Sequence, residues 1–309
     1  MKKVLITGMG GDIAQGIATI LRESYPDYYL VGTDLSEYNA AKFFVDSLYI
    51  VPSADLTLDY IADLKKIIES ESIDIVIPTT ESELRVLELE TCDSFDASFI
   101  TCGKKVIEIG IDKLKTIDYL ASLGLHVPWT QLASTGIPNR FPCILKDRFG
   151  SGSRNLFIVS CKDDAKYLSE KYSNSVFQEL LLPDDKEVTC AVYRDQNNNV
   201  AVLQLLRRLT GGFTSWAKVI NSSEIQKICV TIAEALSLKG SMNIQLRITN
   251  EGVRIFEINP RFSSTVLMRH RMGFSDVLWA IEEVNGKSVQ LKDVEIGKIG
   301  ARFYNAITY

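Results

Sequence analysis

Three short, nearly unbroken apolar runs near the N-terminus constrain this chain more than any other feature: Lys3–Thr7 (KVLIT), Tyr29–Thr33 (YLVGT) and Ile73–Pro78 (IDIVIP). A strand with water on one side alternates apolar and polar residues, so runs like these belong to strands covered on both faces. Between them, Ile13–Arg22 and Leu58–Glu69 carry apolar residues at helical spacing. Strands alternating with helices in this way predict a parallel sheet with helices on both sides, a Rossmann-like module.

The pattern changes near residues 105 to 112. A helix over Asp112–Leu123, closed by Gly124 and Pro128, precedes strands at Cys143–Asp147, Leu156–Val159, Val176–Leu180, Glu187–Tyr193 and Val200–Arg207. Asp195–Asn199 (DQNNN) has turn chemistry and predicts an antiparallel hairpin. A helix over Ser222–Leu236 and strands at Met242–Ile248 and Val253–Asn259 follow. The fold class expected is therefore α/β followed by α+β, in at least two domains.

Bulk properties remove several functions. With a net charge of -5, and with Lys and Arg scattered, the chain is no general nucleic-acid binder. No apolar run reaches the roughly 18 to 20 residues that span a bilayer, and the apolar stretch after Met1 is too short for an export signal. The six cysteines form no C-x-x-C pair, and two histidines cannot build a His-rich metal centre. A cytoplasmic protein with reduced thiols, binding neither nucleic acid nor membrane, is expected.

The start, Thr7-Gly8-Met9-Gly10-Gly11-Asp12, follows a strand, opens a helix, and has Asp34 at the end of the second strand. This resembles a dinucleotide fingerprint, except that Ile13 stands where its third glycine should be and Gly16 comes later. A tight turn, or a ligand other than a dinucleotide at the helix N-terminus, is the favoured reading over nicotinamide or flavin.

The densest chemistry lies in Ser241–Phe274. Strand alternation sets Asn243, Gln245 and Arg247 on one face and Ile244, Leu246 and Ile248 on the other. In the next strand it groups Glu257 and Asn259 with Val253 and Ile255. An acid and uncharged oxygen donors directed to one place suit Mg²⁺ held against phosphates, with Arg261 just beyond the strand. The geometry requires Gln245 and Glu257 to share a face. A hairpin with Gln245 opposite Phe256 fails this test, whereas Gln245 opposite Ile255 passes. The loop around Thr249–Gly252 must therefore be odd in length, or a bulge must supply one residue.

N-I-Q followed by E-I-N-P-R resembles the metal-binding core of the ATP-grasp superfamily, in the branch of carbamoyl-phosphate synthase large subunits. The resemblance implies Gln245, Glu257 and Asn259 as ligands of one or two Mg²⁺ ions, Asn243 beside them, and Arg261 on the triphosphate. Upstream, Lys113 and Lys146 resemble the two nucleotide-binding lysines, and Arg148–Arg154, with Ser151, Gly152 and Ser153, the glycine-rich lid. Glu179 and Leu180 resemble the adenine-reading hinge, and Glu187 the ribose-binding acid, although Pro183-Asp184-Asp185-Lys186 departs from the glycine common before it. The implied architecture is a pre-ATP-grasp domain over 1–108, a small lobe over 109–182 and a large lobe over 183–309.

The implied reaction is ATP- and Mg²⁺-dependent ligation, with Mn²⁺ as a substitute metal: a small-molecule carboxylate becomes an acyl phosphate, an amine attacks it, and ADP and phosphate leave. Arg261, Lys146 and Arg208 are the expected catalytic cations. Thr79-Thr80-Glu81, or Arg207-Arg208 with Gly211–Trp216, are candidate substrate contacts, and Arg269-His270-Arg271 reads as a solvated basic face. A non-catalytic ATP-binding regulator and an NAD(P)-dependent oxidoreductase are the alternatives. A homodimer is the expected assembly.

Overall fold

The computed structural model describes residues 1–89, 95–150, 155–303 and 306–308. The first sheet contains β1 (Lys3–Ile6), β2 (Tyr29–Asp34), β3 (Ser47–Ile50), β4 (Ile75–Ile77) and β5 (Ser98–Phe99), all parallel in the order β3-β2-β1-β4-β5. Its central strands β1 and β4 are almost wholly apolar because both faces are covered. Val4 and Ile6 meet α1 (Asp12–Ser24), whereas Leu5 packs with Leu64 and Ile68 of α2 (Thr57–Glu71). Helix α3 (Glu81–Leu89) begins just after β4.

Helices α4 (Lys104–Gly110) and α5 (Lys113–Ser122) lead to a four-stranded sheet. It contains β6 (Thr130–Leu132), β7 (Cys143–Asp147), β8 (Phe157–Val159) and β9 (Ser175–Glu179), in the order β6-β9-β7-β8. A small separate core forms between it and α6 (Lys162–Lys171), with Cys143, Leu145, Phe177 and Ala165 buried together.

The third sheet is antiparallel and six-stranded, in the order β14-β13-β10-β11-β12-β15. Its strands are β10 (Glu187–Arg194), β11 (Val200–Thr210), β12 (Phe213–Ile220), β13 (Gly240–Thr249), β14 (Gly252–Asn259) and β15 (Ile299–Ala301). On one face Val188, Cys190, Ile244 and Leu246 pack on Ile225, Cys229 and Ile232 of α7 (Ser223–Ala235). Leu120 of α5 joins this core, so α5 packs chiefly with the six-stranded sheet while also touching β6 of the four-stranded one.

The opposite face is divided. Ala191, Tyr193, Leu203 and Leu205 share a core with Ile17 and Leu21 of α1 and with Ile281 of α9 (Asp276–Val284). Towards the other end of that face the residues are polar: Glu187, Arg207, Gln245 and Arg247. Gly16 allows α1 to approach α8 (Val266–Met272), since a Cβ there would stand 2.9 Å from Val266 Cγ1. The close approach missing from the dinucleotide pattern thus exists, but it is made to another helix.

Two sequence expectations change here. Phe213–Trp216, read as part of a glycine-rich turn, begins β12, and only Gly211 and Gly212 form the turn. Arg269-His270-Arg271 is not a solvated face. Arg269 is fully buried and donates from Nε and Nη2 to Asp276 at 2.9 and 2.5 Å, and from Nη1 to Ser263 Oγ at 2.8 Å. A guanidinium satisfied on several sides can stay inside, because its desolvation is offset by charge-assisted bonds. Arg271 faces solvent and pairs with Glu23. Burial holds His270 below the ordinary imidazole range.

Candidate active site

A cleft of about 330 Å³ lies between the four- and six-stranded sheets. Its lower wall depends on an irregularity between β13 and β14. Near the turn the register sets Leu246 opposite Ile255 and Thr249 opposite Gly252; above it Gln245 opposes Glu257 and Asn243 opposes Asn259. Phe256 is the extra residue of a bulge. The turn itself has two residues, so a bulge supplies the correction that parity demands, with Gln245 opposite Glu257 and not Ile255.

The bulge also corrects the predicted grouping on β14. Val253 and Ile255 are buried in the core beneath the sheet, while Phe256, Glu257 and Asn259 line the cleft. Unbroken alternation would have kept Ile255 and Glu257 on one face; the inserted residue resets the phase.

Lys146 ends the apolar run of β7 and is 8% exposed, with Nζ 3.9 Å from Glu257 Oε2. Burial drives its pKa down from the ordinary lysine value to about 8, with Lys113 adding to the depression and Glu257 and Glu187 opposing it. Burial alone would raise the Glu257 carboxyl, but Lys113 and Lys146 outweigh it and hold the group below its ordinary value. Lys113, 7% exposed at the first position of α5, lines the cleft and donates to the Gly150 carbonyl at 2.5 Å.

The β10–β13 ladder places Glu187 directly opposite Arg247. Glu187 Oε2 accepts from Arg247 Nη2 at 2.6 Å, and its Oε1 accepts from Arg207 Nε and Nη2 at 2.9 and 2.6 Å. Arg247 also donates to the Leu181 carbonyl at 2.6 Å, tying the segment after β9 to the six-stranded sheet. Glu179, Leu180 and Leu181 line the cleft there, and the Glu179 amide donates to the Trp129 carbonyl at 3.0 Å.

Of the expected site residues, Lys113, Lys146, Glu179, Leu180, Glu187, Gln245, Glu257, Asn259 and Arg261 converge on this cleft. Asn243 sits behind it, 1% exposed, donating to Asn259 Oδ1 at 3.2 Å and accepting from Thr189 at 2.8 Å. Ser151, Gly152 and Ser153 lie outside the described residues. Arg208 is not brought in: neighbouring strand residues face opposite ways, and it points outward to Asp185, whose carbonyl it meets at 2.8 Å. Its neighbour Arg207 is the one that enters, 7% exposed. The sequence reading selected Arg208, and the cleft holds Arg207 instead.

Arg261 donates from Nη2 to Glu81 Oε1 at 3.0 Å, joining the end of β14 to the turn after β4. In that turn Thr79 Oγ1 donates to the Thr7 carbonyl at 2.8 Å. Thr80 Oγ1 donates to the buried Glu83, whose carboxyl burial pushes up. Thr79 therefore knits β4 to β1, while Thr80 caps the start of α3. At the glycine-rich start, Asp34 accepts from Gly10 N at 2.6 Å and from Asn39 Nδ2 at 3.1 Å, so its carboxylate braces the loop.

The residues fit a divalent cation. One carboxylate with amide oxygens is the donor set that Mg²⁺ takes when phosphates complete its shell. Among the described residues no group of three or more His, Cys, Asp or Glu could hold a metal unaided. Nor, among those residues, is any helix long and apolar enough to cross a membrane.

Comparisons with known proteins agree with this geometry. Residues 176–301 match the family "ATP-grasp in the biosynthetic pathway with Ter operon", and residues 4–102 match "PylC-like, N-terminal domain". Carbamoyl-phosphate synthase of Methanobrevibacter smithii is 18% identical over 302 residues, covering 91% of this chain and 77% of that protein. The carbamoyl phosphate synthase large chain of Thermoplasma volcanium is 22% identical over 315 residues, covering 89% of this chain but only 30% of its own length.

Among solved structures, N5-carboxyaminoimidazole synthetase of Staphylococcus aureus complexed with ADP superposes with a TM-score of 0.76 at 19% identity, covering 96% and 80% of the two chains. The biotin carboxylase domain dimer of Hydrogenobacter thermophilus 2-oxoglutarate carboxylase, in complex with MgADP, ADP and bicarbonate, gives 0.74 at 15%, covering 96% and 73%. These matches support neither the oxidoreductase nor the regulator alternative. A parallel N-terminal sheet, a cleft between two antiparallel sheets, and N-I-Q with E-I-N-P-R along its floor accord with the ATP-grasp match over residues 176–301, and the chain is similar to a single ATP-grasp unit of carbamoyl-phosphate synthase.

Proposed function

We propose that the chain phosphorylates a small-molecule carboxylate with ATP and transfers the acyl group to an amine or another nucleophile, releasing ADP and phosphate. The observation that carries this reading is the bulge that turns Glu257 to Gln245 beneath Lys146. It gathers cations and oxygen donors at the one place where a triphosphate would need both.

The adenine would lie against Glu179–Leu181, with Glu187 at the ribose. The two arginines hold that carboxylate rigid, and its one remaining lone pair, on Oε2, can accept a ribose hydroxyl. Lys113, Lys146 and Arg261 would neutralise the phosphates, and the lid over them would be Ser151, Gly152 and Ser153. Glu257, with Asn259 and Gln245 beside it, would hold Mg²⁺ or Mn²⁺, which when bound draws charge from the phosphate oxygens. A substrate carboxylate oxygen attacks the γ-phosphorus, and the bond to the β–γ bridging oxygen breaks with its electron pair leaving on ADP. The amine nitrogen then attacks the acyl carbon, phosphate departs with the C–O pair, and the ammonium proton passes to solvent. Lys146 and Arg261 stabilise charge where it spreads over the transferred phosphoryl group.

The carboxylate would enter beside Arg261 and Glu81, at the C-terminal end of β4. The proposal extends to a domain division near the predicted boundaries, with β6 as the first small-lobe element by packing, and to a homodimer, which light scattering tests. ADP release is to be screened over amino acids and sugar acids as carboxylates, each with an amine, in Mg²⁺. Substrate-dependent release is the expected result. ADP binding without release under any pairing would overturn the ligase reading.

A further inference from the structure

The orientation of every amide in the metal cluster is fixed by its two ends. Arg207 Nη2 donates to Gln245 Oε1 at 2.9 Å; Gln245 Nε2 donates to Asn259 Oδ1 at 2.8 Å; Asn259 Nδ2 donates to Glu257 Oε1 at 2.7 Å. A guanidinium has no acceptor and an ionised carboxylate has no donor, so the relay runs only from Arg207 to Glu257. Reversing either amide would set two donors or two acceptors against each other. The side-chain oxygen of Gln245 is thereby committed to Arg207.

Arg207 is itself anchored. It is 7% exposed, and Nε and Nη2 are seated on Glu187 Oε1 at 2.9 and 2.6 Å, with Nη1 3.4 Å from Thr214 Oγ1. Withdrawing it would leave a buried carboxylate under-compensated, which is strongly unfavourable. A divalent ion seeking the Gln245 oxygen would meet a fixed positive charge already bonded to that atom. Glu257 Oε2 is different: it lies on the cleft side, 3.9 Å from Lys146, and no amide among the described residues covers it.

We propose that Arg207 occupies the place of a second divalent ion, holding the Gln245 oxygen so that the cleft keeps a single metal position, on Glu257. This rests on the nucleotide-binding reading above. It settles the choice between one and two ions, which the resemblance leaves open, and makes Arg207 a positioning residue: a permanent cation where a mobile one would otherwise sit. Four of its five N–H groups are used in the bonds named.

The test is equilibrium dialysis of the full chain against ADP and Mn²⁺, with ADP and Mn²⁺ retained per chain counted separately. One ADP with one Mn²⁺ is expected for the wild type, and one ADP with two Mn²⁺ for Arg207→Met, in which the Gln245 oxygen is free. No retained ADP would sink the nucleotide reading and this proposal with it. Retained ADP with two Mn²⁺ in the wild type, or with one in Arg207→Met, would overturn this proposal alone. Should Arg207→Met not fold, Gln245→Leu decides. It keeps one Mn²⁺, with affinity changed by less than about tenfold, the lower range for a group that supports a ligand without binding the ion. Loss of that ion would show Gln245 to be a ligand and sink the idea.

Discussion

Phe256 and Glu257 are neighbours in sequence and both face the cleft, which no regular strand permits. The bulge thus delivers two things at once: an aromatic ring 5.6 Å from Lys146 Nζ, and the carboxylate beside it.

Glu257→Gln keeps the shape and the Asn259 contact but removes the charge. Mg²⁺-dependent ADP release is expected to fall by about 100-fold or more, the scale on which a charge-stabilising group acts in the transition state. Deleting Phe256 has a different effect. It removes the extra residue and leaves Gln245 opposite Glu257 in a regular hairpin, so Mn²⁺ binding survives while the ring is lost. A deletion variant that no longer bound Mn²⁺ would count against this account of the bulge.

Lys146 makes nucleotide affinity depend on pH. In the free protein its pKa is lowered to about 8 by burial, and an anionic ligand prefers the protonated form. Affinity is therefore full below pH 8 and lost above it, until the higher pKa of the complex is reached. Calorimetric titration with ADP at a series of pH values should show about tenfold weaker binding at pH 9 than at pH 7, because about one lysine in ten keeps its proton there. Lys146→Met should bind more weakly and give a flat profile. A flat wild-type profile would remove Lys146 from the phosphate site.

The buried Arg269–Asp276 pair is a matter of stability. Arg269→Met leaves Asp276 in a dry pocket with only the Ser241 hydroxyl at 2.6 Å. Urea unfolding should show a loss of about 3–5 kcal/mol. The double change Arg269→Met with Asp276→Leu should recover most of that, since two apolar groups leave no buried charge alone.

The arginine doublet separates by exposure. Arg208→Ala, at a side chain 51% exposed, should alter unfolding free energy by less than about 0.5 kcal/mol and leave ADP release nearly unchanged. Arg207→Ala should lower release sharply, because it breaks the contacts to Glu187 and Gln245 together. Equal effects from the two would contradict the inward and outward assignment.

Sequence periodicity gave the parallel module, the order of most strands and most cleft residues, because apolar alternation and E-I-N-P-R are local signals. Pairing between strands was less visible. That Gln245 needs an odd-length loop or a bulge followed from parity, but the bulge and its seat at Phe256 did not, since the choice depends on how the whole hairpin packs on α4 and α5. Arg269 was misread because its partners, Ser263 and Asp276, lie on either side of α8 and carry no pattern. Glu83 went unnoticed for a similar reason: its burial arises from Thr7, seventy-six positions away.

The core shared by α1 and the six-stranded sheet has a mechanical consequence. Ile17, Leu21, Tyr193 and Leu203 belong to one packed interior, so the N-terminal module and the larger sheet form one continuous block. The four-stranded sheet has its own small interior and meets that block mainly across the cleft. It is expected to be the jaw that moves. Substrate admission is then a displacement of that jaw against a stationary anvil, and closure on nucleotide should slow amide hydrogen exchange in β7 and β9 while leaving β1 and α1 unchanged.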